Sequence, residues 1–348
     1  MLVARKLEGM ELEALPPRIT DGIPLRRPLR VGIISNPLSG QNVRRGLHMR
    51  IQDLLQSHPQ VVHLDAQTLD GIKAAARELV QSNIEILAVN GGDGTMQAVL
   101  TAVFGTPTDR LPVLAVLAGG TTNSTARNVG FGKRPLEAVQ RLLLAAAQGS
   151  LPGTLETRAV MRADTANDTQ YAMMFGAGAV YHGILFFRRH IETRGVRGEI
   201  GAGLAVATFV AKILSGSGGT LFPPFHADVR IDGSVIPKQA YLGILTSTIS
   251  RQMLGISPYW GTGPGPLRYT SLRCQPKHLP RAVVPVLRGK AGAYVRPEFG
   301  YRSVNANEVS LRFDSGFMLD GELFPPTDGP TQVTLSARQC AYFLRDRR

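Results

Sequence analysis

The spacing of hydrophobic residues divides the chain into two parts that meet near residue 150. Before that point, short apolar runs typical of buried strands alternate with longer segments in which apolar residues recur every three or four positions, as on an amphipathic helix. We predict strands over 29–35, 61–64, 84–89 and 113–117, and helices over 41–56, 72–80, 96–104 and 135–147. Because strands and helices alternate, this part is predicted to be an α/β fold with a doubly wound parallel sheet.

After residue 150 the apolar runs are short and no longer alternate with long helices. We predict strands over 155–161, 171–175, 227–231, 235–237 and 241–246. Asp232 and Gly233 separate two of these runs, and an Asp-Gly pair favours a tight hairpin turn. The second part is therefore predicted to be a C-terminal antiparallel, β-sandwich-like domain, so that the fold class of the chain is α/β plus β.

The length of 348 residues exceeds what one hydrophobic core usually holds, so two domains are expected. We predict an irregular, proline-punctuated lead-in over 1–28, a first domain over 29–150, a second domain over 151–324 and a C-terminal segment over 325–348 that returns to the first domain. An apolar segment over 200–214 has helical spacing and is too short to span a bilayer. It is interpreted either as a core helix or, alternatively, as a lid or a helix that contacts lipid.

The net charge of +13 is distributed unevenly along the chain. Residues 268–302 hold eight basic residues and one acidic residue. These cations do not form a compact run with interleaved aromatic residues, and no nucleic-acid-binding motif is present, so nucleic acid is not predicted as a partner. An anionic membrane surface explains the same charge, and a solvated basic face is the alternative.

Several features favour a cytoplasmic protein. There is no apolar run of about 18 residues and no signal-peptide segment near the N-terminus. The two cysteines, Cys274 and Cys340, are far apart, which makes a disulfide framework an unfavoured interpretation. The seven histidines are scattered, and no two of them have the sequence spacing of a metal site.

The segment with the strongest chemical signal is 86–95, in which an apolar strand runs into Gly-Gly-Asp-Gly-Thr. We predict that a helix follows, with Thr95 as its N-cap. Glycines let backbone N–H groups approach a phosphate, and a helix N-terminus favours negative charge. Phosphates would repel the carboxylate of Asp93 unless a cation lay between them, so Mg²⁺ with a nucleotide is indicated. The alternative is a tight turn in which Asp93 only caps the helix.

Two other loops also follow predicted strands. Residues 36–40 read Asn-Pro-Leu-Ser-Gly, and residues 118–127 read Ala-Gly-Gly-Thr-Thr-Asn-Ser-Thr-Ala-Arg. Because ligands of such sheets bind beyond the carboxyl ends of the strands, we expect all three loops to converge on one edge.

The order and spacing of these three motifs over 29–150 resemble the diacylglycerol kinase and sphingosine kinase family, whose catalytic domain carries the Gly-Gly-Asp-Gly-Thr signature. The resemblance implies a first domain like those of NAD kinases and phosphofructokinases, and it implies ATP and Mg²⁺ as cofactors. Ser124 stands where the family usually has aspartate, and the segment 257–267 lacks the carboxylate of a metal segment found in bacterial members. Asp93 is implied as the Mg²⁺ ligand, with water between the carboxylate and the ion. The residues implied in nucleotide binding are Asn36, Gly40, Gly91, Gly92, Asp93, Gly94, Thr95, Gly120, Thr121 and Asn123.

Asp320-Gly321-Glu322 supplies the candidate catalytic carboxylates. By spacing alone the segment is either an extended chain, in which Asp320 and Glu322 share a face, or a hairpin turn. The resemblance favours catalytic roles, because lipid kinases of this family carry Asp-Gly-Glu near the chain end. Which of Asp320, Glu322 and Asp93 takes the proton stays open.

The resemblance implies an ATP-dependent lipid kinase at the inner membrane surface that acts in phospholipid metabolism, with diacylglycerol as the default acceptor. The first domain would bind the nucleotide and the second the lipid. Sphingoid and ceramide lipids are alternative acceptors. Whether the chain forms a homodimer is left open. An NAD kinase is disfavoured because no ribose-binding Asn-Glu pair is found. The alternative that is not an enzyme is a regulator that binds a nucleotide without catalysis.

Overall fold

The structure is a computed structural model that describes residues 27–120, 123–132, 134–186, 188–189, 211, 222–250 and 255–346. The predicted lead-in, except its last two residues, lies outside the described residues. So does the predicted helix over 200–214, apart from residue 211. Of the predicted site residues, Thr121 lies outside them as well.

The first half contains four parallel strands in the spatial order β2-β1-β3-β4. They are β1 (Val31–Ser35), β2 (Val62–Asp65), β3 (Ile86–Gly91) and β4 (Val113–Ala118). The helices are α1 (Gly40–Arg45), α2 (Leu47–Leu55), α3 (Leu69–Gln81), α4 (Asp93–Gly105), α5 (Ser124–Val129) and α6 (Pro135–Ala147). The prediction of a parallel sheet is confirmed.

Helices cover both faces of this sheet. Leu87 and Val89 of β3 belong to the core that α3 and α4 close, whereas Ile86 and Ala88 belong to the core that α2 and α6 close. Successive strand residues point to opposite faces, so a strand buried on both faces carries a continuous apolar run. The doubly wound arrangement is therefore confirmed.

Two predicted helices differ from those observed. The helix predicted over 41–56 is divided into α1 and α2 because Gly46 has a φ of 57°, which ends the first helix in the left-handed region. The helix predicted from residue 96 begins at Asp93. Its N-cap is Gly92, whose carbonyl accepts from the Met96 N–H, so the prediction of Thr95 as the N-cap was wrong.

Among the described residues, the second half is built of antiparallel strand pairs with two further α-helices, α7 (Ala179–Phe186) and α8 (Leu279–Leu287). The predicted hairpin at Asp232 and Gly233 is confirmed, with φ values of 45° and 81°. The runs predicted as two strands over 235–237 and 241–246 form one strand. The strands are β5 (Thr154–Thr165), β6 (Thr169–Ala172), β7 (Met174–Gly178), β8 (Phe225–Ile231), β9 (Ser234–Ser247), β10 (Leu267–Arg273), β11 (Tyr301–Ala306), β12 (Glu308–Phe313), β13 (Phe317–Leu319), β14 (Glu322–Phe324) and β15 (Thr331–Arg345).

The strand β15 connects the two halves. It pairs antiparallel with β5 and β12, and near its end Phe343 pairs in parallel with Leu114 of β4. The hydrogen-bonded path therefore runs unbroken from β14 to β2. The fold class, α/β plus β, is confirmed, and the domain boundaries at residues 150 and 324 stay a prediction.

Candidate active site

The three loops named from the sequence meet at the carboxyl ends of β1, β3 and β4. The Asn36 side-chain amide donates to the Thr95 hydroxyl over 3.2 Å, which joins the first loop to the start of α4. The Gln41 N–H donates to the Gly119 carbonyl over 2.9 Å, which joins α1, whose first residue is Gly40, to the third loop. The expected convergence on one edge of the sheet is therefore seen.

Glycines allow these loops to touch backbone to backbone. A Cβ atom added to Gly120 would lie 2.4 Å from the Gly92 Cα atom, and one added to Gly91 would lie 2.5 Å from the Thr95 side chain. The Asn123 side chain holds the third loop in place, because its Oδ1 accepts from the Gly120 N–H over 2.8 Å and its Nδ2 donates to the Gly120 carbonyl over 2.9 Å. Larger side chains would separate the two glycine loops.

Asp93 lies between two helix N-termini. It is the first residue of α4, and its Oδ1 accepts from the Thr125 N–H at the start of α5 over 2.8 Å. A carboxylate at this point is favoured by the partial positive charge of a helix N-terminus. Thr125 was missed in the sequence because it acts through its backbone, which leaves no side-chain signal.

Asp320 and Gly321 form the turn of the β13–β14 hairpin, with φ values of 46° and 89°. The extended-chain interpretation of this segment was therefore wrong, and the hairpin interpretation was right. Asp320 is 5% exposed. Its Oδ2 accepts from the Met173 N–H over 2.9 Å, and its own N–H donates to the Met174 carbonyl over 3.0 Å.

The same hairpin brings Glu322 to the N-terminus of α4. A Cβ atom added to Gly94 would lie 3.6 Å from the Glu322 Oε2 atom. The Glu322 side chain is 30% exposed, and the Arg188 guanidinium lies 3.9 Å from its Oε2 atom. Arg188 also donates to the Gly321 carbonyl over 2.8 Å. Arg188 was missed as a site residue, since it lies 134 positions from Glu322 in the sequence and no local motif indicates this contact.

The carboxyl groups of Asp93 and Asp320 influence each other. Burial raises the pKa of Asp320 to about 8, and the negative charge of Asp93 acts in the same direction. The hydrogen bonds from Met173 and Met174 oppose this rise and are outweighed. A bound cation would relieve the repulsion, so this concentration of carboxylates suits a divalent ion.

Replacement of Asp320 by asparagine is expected to change how folding stability depends on pH. Because the folded state raises the pKa of Asp320 from 3.8 to about 8, the proton is held more tightly in the folded than in the unfolded chain. Its contribution to stability is full below about pH 4 and is lost as the pH rises to about 8. Asp320→Asn should therefore gain stability relative to wild type over this range, by at most several kcal/mol, since one pKa unit corresponds to about 1.4 kcal/mol.

Urea unfolding of both proteins with a chelator present measures this difference. The exposed Asp328 is the control, and Asp328→Asn should follow the wild-type curve. If the free energy of unfolding changed with pH in the same way in Asp320→Asn and in wild type, Asp320 would not titrate as proposed.

The predicted site residues that the structure describes thus gather in one place. Asn36 and Gly40 come from the first loop, the Gly-Gly-Asp-Gly-Thr residues from the end of β3 and the start of α4, and Gly120 and Asn123 from the third loop. Asp320 and Glu322 reach the same place from the second half of the chain. The glycine surface can accept phosphate groups through backbone N–H donors, and the carboxylates offer oxygen ligands for Mg²⁺.

Comparison with known proteins gives matches at the level of both sequence and fold. Residues 30–150 match the sequence model of the diacylglycerol kinase catalytic domain. A diacylglycerol kinase of Bacillus subtilis (strain 168) is 29% identical over 108 residues, which are 31% of this chain and 35% of that protein. The match therefore spans about a third of the length of this relative.

Two solved structures from Bacillus anthracis str. Sterne share the fold. One, described as a diacylglycerol kinase, has a TM-score of 0.56 at 15% identity and covers 90% of this chain and 96% of its own. A second protein has a TM-score of 0.64 at 16% identity and covers 93% of this chain and 98% of its own. The similarity in fold to these structures therefore includes the antiparallel second half, which the family match does not include.

Proposed function

We propose that this chain is an ATP-dependent lipid kinase that transfers the γ-phosphate of ATP to a lipid hydroxyl group, since its residues 30–150 match the sequence model of the diacylglycerol kinase catalytic domain. The main support for this proposal is that Asp320 and Glu322 lie beside Asp93, at the N-terminus of α4. These carboxylates come from distant parts of the chain, and phosphoryl transfer needs such groups next to a phosphate site.

The phosphates of ATP would lie on the backbone of the two glycine loops. An added Cβ atom at Gly91 or Gly120 would collide with neighbouring atoms at 2.5 Å or less, so the loops hold a close contact that only glycine permits. The 13-residue helix α4 directs its N-terminal N–H groups to this surface.

Mg²⁺ fits the same place. Asp93 would hold it, directly or through water, because a carboxylate oxygen is the ligand that this ion prefers. A bound cation would lower the raised pKa of Asp320, so its buried carboxyl group would add negative charge once Mg²⁺ is present. When bound with the nucleotide, Mg²⁺ would offset the charge of the phosphates.

Glu322 is better placed than Asp320 to accept the proton of the lipid hydroxyl. Its side chain is partly exposed and lies beside Gly94, whereas Asp320 is buried and its Oδ2 accepts from the Met173 backbone. The lipid hydroxyl oxygen would attack the γ-phosphorus, its proton would pass to Glu322, and the bond from phosphorus to the bridging oxygen of ADP would break. Asp320 would then act by charge and by holding the hairpin.

Diacylglycerol is the proposed acceptor, on the strength of the curated relative, and its phosphorylation would give phosphatidic acid. Sphingoid and ceramide lipids offer the same chemical group. The test is the transfer of labelled phosphate from ATP with Mg²⁺ to diacylglycerol, monoacylglycerol, ceramide, sphingosine and phosphatidylglycerol in mixed micelles, with NAD as a soluble control.

Each result of this assay assigns the function differently. Label in diacylglycerol alone supports the proposal in full, and label in another lipid corrects the acceptor. ATP binding without label in any acceptor would overturn the kinase proposal in favour of a nucleotide-binding regulator.

Lipid substrates require contact with a membrane, and the second half of the chain offers a basic surface for it. Among the described residues, no helix combines the length and the apolar character needed to cross a bilayer. Lys238, Arg273 and Arg302 line a hollow of about 210 Å³ between β9, β10 and β11. No acidic residue lines this hollow, so its cations can face anionic headgroups.

Removal of two of these cations is expected to weaken membrane binding. Arg273→Ala with Arg302→Ala should lower the affinity for phosphatidylglycerol vesicles by roughly tenfold or more, because each cation near such a surface is worth about 1 kcal/mol. Co-sedimentation with phosphatidylglycerol and phosphatidylcholine vesicles measures the effect. The matched control removes two exposed arginines elsewhere, Arg134 and Arg338. Equal losses in both double variants would mean that only total charge matters.

A further inference from the structure

Two histidines and one aspartate come together at the carboxyl end of β2, outside the carboxylate cluster of Asp93, Asp320 and Glu322. His48 belongs to α2, and His63 and Asp65 belong to β2. The ligand atoms of these three side chains all lie within 4.8 Å of one another. No local motif connects the two histidines, because they lie 15 positions apart in the sequence and on different elements.

Two of the three distances between the ligand atoms of this cluster suit a tetrahedral metal ion. The Asp65 Oδ1 atom lies 3.4 Å from His48 Nδ1 and 3.3 Å from His63 Nε2. Two ligand atoms that each lie about 2.0–2.1 Å from zinc, at the tetrahedral angle, are about 3.3–3.4 Å apart. Both distances therefore equal the edges of a zinc coordination tetrahedron.

The hydrogen bonding of the cluster is incomplete. His48 Nδ1 is buried and has no hydrogen-bond partner among the described residues, although Asp65 Oδ1 is only 3.4 Å away. At this distance a hydrogen bond would form if the two atoms pointed at each other. Its absence is the arrangement expected of two ligand atoms that point to a common centre.

The surroundings of the cluster keep one side open. The side chains of His48 and His63 are 16% and 12% exposed, whereas that of Asp65 is 36% exposed, which leaves a path for an ion. The Ser35 hydroxyl lies 3.0 Å from His63 Nε2 and accepts a hydrogen bond from the Asn90 side chain. Ser35 is next to Asn36, so the cluster adjoins the first loop of the candidate active site.

We propose that His48, His63 and Asp65 bind one divalent transition-metal ion of the zinc type, with the fourth coordination position open toward Ser35. Two imidazole nitrogens and one carboxylate oxygen are ligands that Zn²⁺ accepts, whereas Mg²⁺ prefers oxygen ligands alone. The ion would tie α2 to the β1–β2 edge of the sheet. This site stands apart from the proposed kinase function, and its test does not use kinase activity.

The test is metal binding by the full chain after removal of metals with a chelator. Titration with Zn²⁺, in millimolar Mg²⁺ to occupy the carboxylate cluster, should reveal one tight site and raise the thermal unfolding temperature. Cobalt in place of zinc should give the visible absorption of a four-coordinate ion. His63→Ala should weaken zinc binding by about a hundredfold or more, because it removes a direct ligand, and changes even beyond the ligands cost about 10–100-fold.

Two further variants separate the loss of a metal ligand from misfolding and from the loss of a histidine elsewhere. Asp65→Asn keeps the size of the side chain and should weaken zinc binding while the apo protein stays folded. His58→Ala removes a histidine outside the cluster, which contacts Ser57 and Leu54, and should leave zinc binding unchanged. Wild-type affinity in both Asp65→Asn and His63→Ala, or the lack of a tight zinc site in the wild-type protein, would overturn the proposal.

Discussion

Asp93→Asn is expected to lower phosphate transfer from ATP by about 10²- to 10⁴-fold, the range observed when a positioned catalytic group is lost. The carboxylate lies at the N-terminus of α4, is fixed by the Thr125 N–H and faces the cluster completed by Asp320. Asparagine can keep the hydrogen bond from Thr125 through its carbonyl oxygen but cannot balance the charge of Mg²⁺. The helix should therefore remain intact while Mg²⁺-dependent ATP binding and transfer are lost.

A matched control separates this effect from the general cost of removing an acidic residue at a helix start. Asp70 lies in the first turn of α3, as Asp93 does in α4, and is exposed. Asp70→Asn should retain transfer within about twofold, because a surface charge at a helix terminus is worth about 0.3–1 kcal/mol of stability and no more. Wild-type rates in Asp93→Asn, measured with saturating ATP and Mg²⁺, would contradict the role given to Asp93.

Gly120→Ala is the second change with a large expected effect. The added methyl group would lie 2.4 Å from the Gly92 Cα atom and 2.9 Å from the Asn123 Oδ1 atom, so the two glycine loops would have to separate. Overpacking of this kind costs about 1–3 kcal/mol. We expect lower thermal stability and at least a roughly tenfold loss of ATP affinity, which isothermal titration measures directly, since 1.4 kcal/mol corresponds to about tenfold.

Gly105→Ala at the other end of α4 is the control for this variant. A Cβ atom added there meets nothing within 4 Å, and alanine favours a helix over glycine by about 1 kcal/mol. This variant should bind ATP as wild type does. If Gly120→Ala also bound ATP with wild-type affinity, the close contact of the glycine loops would not form part of the nucleotide site.

Hydrophobic periodicity was sufficient to predict the first half of the fold. Strands buried on both faces carry continuous apolar runs, as residues 86–89 of β3 do, and amphipathic helices such as α6 show one apolar stripe, so both signals are local. Helix ends were predicted less well. The start of α4 was misplaced because Asp93 and Gly94 are poor helix formers by propensity, and the extended Gly92 decides where the helix begins.

The site was predicted in part, for a similar reason. The three loops carry local motifs, and parallel strands bring their carboxyl ends to one edge whatever the rest of the chain does. The environment of Asp320 depends instead on the pairing of β13 with β7, which sets Leu319 beside Phe175. The burial and the raised pKa of Asp320 follow from that pairing of distant segments, and neither has a signal in the local sequence.

We propose that Asp320 and Glu322 complete a phosphoryl-transfer site on the glycine loops, where ATP would bind. The most direct test is a single-turnover measurement of labelled phosphate transfer to diacylglycerol by wild type, Glu322→Gln and Asp320→Asn, with ATP binding measured in parallel. We expect transfer by wild type, ATP binding by all three proteins, and a loss of transfer of about 10²-fold or more in Glu322→Gln. Transfer at the wild-type rate in both variants would contradict the claim.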